Sequence, residues 1–130
     1  MTDEKEIFSL PCLGEVWHED RIMYFDGPIL FTVRNERGER YLGYWADAED
    51  PYWTYLYAPI SEERYISLLQ GGIEVRDAFT EPAEILVLLW NTTTDEYEKS
   101  LWKTAQELDD EQLPQRGFRI PGCNGQLRCN

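Results

Sequence analysis

This chain is short of the residues that most chemistry uses. It has one histidine and three cysteines in 130 residues, and its 12 Lys and Arg face 25 Asp and Glu. With His18 alone, no histidine pair exists to hold a metal, and no nucleophile stands near it in the sequence to build a triad. A lone histidine without a partner motif reads as a surface or strand residue. Cys12, Cys123 and Cys129 fit no zinc spacing. No Cys-His motif, no HExxH and no P-loop occurs, and Gly71-Gly72 lacks the Gly-Lys-Ser/Thr continuation that would cradle phosphate. No apolar run reaches the about 18 residues that a membrane-spanning helix needs. The opening Met1-Thr-Asp-Glu-Lys-Glu6 has no apolar core of a secretion signal. The expectation is a cytoplasmic protein with reduced thiols, although Cys123 and Cys129 are close enough in sequence to pair in an oxidising compartment.

The shortage of base leaves a formal net charge of -13. Such a chain repels phosphate backbones and anionic lipids, so neither direct nucleic-acid binding nor a membrane surface is expected. It is drawn instead to a basic protein surface, unless the charge serves solubility alone. The acid is concentrated in residues 1–20 and 74–111, whereas the tail from Gln112 has Arg116, Arg119 and Arg128 and no acid.

What is abundant is aromatic. Five Trp, eight Tyr and five Phe bring the aromatic content to 14%, with 42% hydrophobic residues overall, which argues against a disordered acidic tail. The length suits one domain with a real core, loose at about 1–10 and 122–130.

Period and turn chemistry predict the elements. Gly14–Phe25 reads as a strand with a turn or bulge at His18–Arg21, ended by Asp26-Gly27-Pro28. Ile29–Arg34 and Arg40–Ala46 form a hairpin around Asn35-Glu-Arg-Gly38. Asp47–Pro51 connects to a strand at Tyr52–Ala58. Ser61 is a natural N-cap, with Glu62 and Glu63 in the first turn and an apolar side at Tyr65, Ile66, Leu68 and Leu69. Gly71-Gly72 stops that helix. Ile73–Phe79 reads equally as strand or helical turn. Ile85–Trp90 is a continuous apolar run, short enough for a buried strand. Glu96–Leu108 is open between strand and helix, its composition leaning to a helix, and Gly117–Pro121 reads as a short edge strand. The expected fold is α+β: a twisted antiparallel meander of about five strands packed by one or two helices.

Carboxylates remain as possible chemistry. Asp47-Ala-Glu-Asp50 and Asp109-Asp-Glu111 lack the EF-hand spacing and read as solvated acidic loops. No catalytic residue, metal or cofactor is assigned. The expected site is aromatic and acidic: Trp45, Asp47, Glu49, Asp50, Trp53 and Tyr55. In a strand Trp53, Tyr55 and Tyr57 share one side and Tyr52, Thr54, Leu56 and Ala58 the other. Cross-strand aromatic pairing that only stabilises the sheet is the plain alternative to a contact surface.

Asp26-Gly-Pro-Ile-Leu-Phe31, Gly38-Glu-Arg-Tyr-Leu42, Pro59-Ile-Ser-Glu-Glu-Arg64 and Ile73-Glu-Val-Arg-Asp-Ala-Phe79 together resemble the pattern of a family of small uncharacterised bacterial domains. The resemblance covers residues 26–79 and implies a fold, with no activity to carry over. Three functions stay open. The first is a non-catalytic inhibitor or immunity/antitoxin-like protein docking on a basic partner such as a nucleic-acid-processing enzyme. The second is a nucleic-acid mimic acting in phage–host conflict, and the third a carboxylate-based small enzyme or ligand-binding domain.

Overall fold

The computed structural model describes residues 6–24 and 28–120. Asp26, Gly27, Cys123 and Cys129 lie outside these residues, as does the segment expected to be loose at 122–130. Seven strands follow one another in space as in sequence: β1 (Ile7–Leu10), β2 (Gly14–Tyr24), β3 (Pro28–Asn35), β4 (Arg40–Glu49), β5 (Tyr52–Pro59), β6 (Ile85–Asn91) and β7 (Glu96–Lys103). Every neighbouring pair is antiparallel. Two short helices, α1 (Glu62–Leu69) and α2 (Val75–Thr80), bridge β5 to β6. The expected α+β meander of about five strands is therefore corrected to a mostly β fold, a seven-stranded curled half-barrel.

The extra strands come from both ends. Residues 7–10, expected to be loose, pair with Gly14–Trp17. Residues 96–103, expected to be helical, pair with β6 instead. The Glu, Lys and Leu of that segment favour a helix locally, but β6 is apolar from Ile85 to Trp90 and its outer edge needs a hydrogen-bonding partner. Only a 3-10 turn at Ala105–Glu107 survives of the expected helix. Gly117–Ile120 is not a strand; it lies along α2, where the Phe118 carbonyl accepts from the Val75 N–H at 2.9 Å.

The alternation read from the sequence holds in β5, and β4 follows it up to Trp45. Leu42, Leu56 and Ala58 join Leu30, Leu68, Val75 and Phe79 in a core under the helices. Phe31, Val33, Tyr57, Leu86 and Leu88 form a second core on the opposite face. Phe8 from β1 and Tyr97 from β7 both pack on this second cluster, although their strands are the two edges of the sheet. Side chains from opposite edges reach one cluster because the sheet curls around it.

Turn chemistry is local and legible. The Asn35 Oδ1 accepts from the N–H groups of Arg37 and Glu39, each at 3.0 Å, and Gly38 takes φ +82°. Ser61 caps α1 by accepting from the Arg64 N–H. The expected irregularity near His18 is a bulge: His18 pairs with Val33 and Asp20 with Thr32, leaving Glu19 as the extra residue. The Glu19 carboxylate accepts from the Nε of Arg34 at 2.8 Å and of Arg40 at 2.7 Å. Arg40 in turn reaches Glu62 and lies over the Tyr65 ring at 4.3 Å. One bulged acid thus ties three strands to α1.

Candidate partner-binding site

The structure brings the six expected site residues to one end of the sheet and divides them between its faces. Trp45 pairs with Tyr55 across β4 and β5, and the Trp45 and Trp53 ring centroids are 4.7 Å apart. All three aromatics are half-buried. Burial, with Tyr97 nearby, pushes the Tyr55 hydroxyl up to about 12. The Trp45 Nε1 is buried with no acceptor.

A second bulge decides where the acids go. After Trp45 the register skips Ala46, so that Asp47 pairs with Thr54 and Glu49 with Tyr52. Cross-strand partners share a face, and Thr54 alternates with Tyr55. Asp47 and Glu49 therefore sit on the face opposite Trp45, Trp53 and Tyr55. An unbroken strand would have put all of them together. The connector expected at Asp47–Pro51 is also shorter: β4 runs to Glu49 and only Asp50-Pro51 remains, joined by a cis peptide. Asp47, Glu49 and Asp50 are all exposed.

Residues that the sequence reading passed over complete both halves. Trp90 pairs with Trp53 on one side and Tyr97 on the other, and the Trp90 and Tyr97 rings meet edge-on at 4.7 Å. Trp45, Trp53, Trp90 and Tyr97 thus form an aromatic row across four strands. The next turn adds Asp95 and Glu96, both exposed. That turn is built on Asn91, whose Oδ1 accepts from the Thr93 N–H at 2.8 Å and the Thr94 N–H at 3.2 Å. Thr92 fastens it to the other: its N–H and its hydroxyl both donate to the Pro51 carbonyl, at 2.8 and 3.0 Å. Among the described residues, Asp47, Glu49, Asp50, Asp95 and Glu96 form no ion pair. The only signal for Tyr97 as a sheet residue was the apolar run of β6, which needs a partner strand.

The remaining candidates have structural surroundings. His18 is a half-buried strand residue stacked on Phe8 at 5.0 Å, with the edge of Phe31 at 5.2 Å. Burial holds its pKa below the ordinary value, helped by Arg21. Asp110, of the acidic 109–111 segment, is engaged by Arg76 and Arg116. No group of three His, Cys, Asp or Glu is arranged for a metal ion among the described residues. No helix among them is long and apolar enough to cross a membrane.

These features define a curled antiparallel β-sheet domain with an aromatic row and exposed acids at one end. The chain belongs to a family of unknown function, DUF6575, whose profile matches residues 12–124. No curated protein and no solved structure matches it.

Proposed function

We propose that the chain is a non-catalytic protein-binding domain, of the inhibitor or immunity/antitoxin kind, that docks on a basic surface of a partner such as a nucleic-acid-processing enzyme. The carrying observation is the end of the sheet where Thr92 bridges to Pro51. It sets five carboxylates that form no ion pair among the described residues at the same end as the half-buried row of Trp45, Trp53, Trp90 and Tyr97. Aromatic anchors with a charged surround are the make-up of interface hot spots. Because the bulge at Ala46 turns Asp47 and Glu49 away from Trp45, the hairpin tip offers an apolar side and an acidic side. It suits a cleft with one apolar wall and one basic wall.

The test is affinity capture from cell extract at about 50 mM and about 500 mM salt, followed by binding of variants to the captured protein. Asp47→Asn, Glu49→Gln and Asp50→Asn together should slow association and flatten its salt dependence. Trp53→Ala with Tyr55→Ala should speed dissociation and cost about 2 kcal/mol or more. A partner whose binding survives both sets overturns the assignment of this surface. Inhibition lost with the acids and kept without Trp53 and Tyr55 points to a nucleic-acid mimic instead.

A further inference from the structure

We propose that β7 is a receiving edge for an extended segment of a partner protein in which acidic and apolar residues alternate, laid beside Lys99–Lys103 as an eighth strand. This surface is separate from the acidic end and takes a partner of opposite chemistry. Among the described residues nothing pairs with the outer edge of β7, which is eight residues long against four for β1 at the other edge. Its backbone groups there are a template for strand addition. Leu101 and Trp102 on this strand are 46% and 41% exposed. Trp102 also walls a groove with Pro59, Ile60, Ala78 and Pro82, at the end of the sheet where β5 leads into α1.

The register fixes which side chains an incoming strand would meet. Lys99, Leu101 and Lys103 pair with Leu89, Val87 and Ile85 in turn, so the three lie on one face. Neither lysine forms an ion pair among the described residues. In a chain with 25 acids, two unpaired lysines flanking an exposed leucine ask for acid, apolar, acid in alternate positions of the strand opposite. Ser100 and Trp102 lie on the other face, where a β-branched residue would pack against the indole. A second copy of this chain fits less well. An antiparallel pair centred on Leu101 sets Lys99 against Lys103 of the other copy, and like charges directly opposite are unfavourable. The tail beyond Ile120 has no acid to offer.

The probe is a labelled, end-blocked peptide, Thr-Glu-Ile-Val-Thr-Glu-Thr, compared by fluorescence anisotropy with the same peptide carrying Lys in place of both Glu. At about 150 mM salt the distant charges of the domain are screened and contact pairs are not. The full chain should bind the acidic peptide about tenfold more tightly than the basic one, against its own overall charge. Lys99→Glu with Lys103→Glu should reverse that order while the far-ultraviolet circular dichroism stays unchanged. Equal binding of the two peptides, or binding of neither, overturns the proposal. So does sedimentation showing a dimer that Leu101→Lys dissolves, because the edge then belongs to a second copy.

Discussion

The Phe31 ring lies across Gly43 on the neighbouring strand, so close that a Cβ at position 43 would stand 2.4 Å from it. Phe31 is fully buried, and its ring is boxed by His18, Tyr55 and Tyr57. It has no free direction in which to yield. Gly43→Ala should therefore destabilise the domain by about 1–3 kcal/mol, as overpacked cores do. Urea denaturation measures it. Phe31→Leu in the Gly43→Ala background should recover part of the loss, which a purely backbone effect of alanine would not allow.

The Glu19 carboxyl is lowered from its ordinary 4.5 to about 2, chiefly by its hydrogen bond with Arg40, with Arg34 adding to it. A depressed carboxylate stabilises the fold above its unfolded pKa, and this is lost as pH falls through the folded one. The stabilising window therefore closes between about 4.5 and about 2. Glu19→Gln should cost about 2 kcal/mol at pH 7, because it removes the charge held between Arg34 and the nearly buried Arg40 and turns one acceptor oxygen into an NH2 donor facing a guanidinium. The gap between wild type and variant should narrow as pH falls from about 5 to about 3 in urea titrations. A constant gap would show that the carboxylate charge is not what holds β2 to β4.

His18 also weakens the fold on the acid side, but around a histidine's pH range rather than a carboxylate's. Burial keeps its ring neutral in the fold, with its pKa below 6.5. The unfolded chain then binds more protons on the acid side, so stability falls as pH drops below the unfolded value. His18→Phe keeps an aromatic ring between Phe8 and Phe31 and removes the buried Nδ1 that has no partner. Its melting temperature should exceed that of wild type at pH 5 by more than at pH 8. Equal differences at the two pH values would exclude titration of His18 as the cause.

Where local chemistry and tertiary need agree, the elements were readable from the chain. Asn35 and Gly38 mark their hairpin, Ser61 marks the start of α1, and the alternation of Leu56 with Tyr55 and Tyr57 marks the two faces of β5. Local composition misleads where a distant partner decides. Glu96–Lys103 has helix-forming residues, and only the empty edge of β6 makes it a strand. That strand in turn supplies Tyr97 to the aromatic row and exposes Leu101 and Trp102. The bulges are the other hidden feature. Nothing in Trp45-Ala46-Asp47 marks Ala46 as the residue to be skipped, yet this one step moves Asp47 and Glu49 to the opposite face. The six candidate residues could be placed near one hairpin tip from the sequence, but their division between two faces depends on register, which is a property of pairs of strands.

The bridge from Thr92 to Pro51 spans 41 residues of sequence. Each turn brings only part of the charge, and neither contains the whole aromatic row. A synthetic hairpin copied from residues 41–58 would lack Trp90, Tyr97, Asp95 and Glu96, and would have no neighbour to hold its tip. The surface is a discontinuous epitope. It exists only in the folded domain, so an antibody raised against it should ignore the unfolded chain, and it can be retuned by changes in either of two turns remote from one another in the gene.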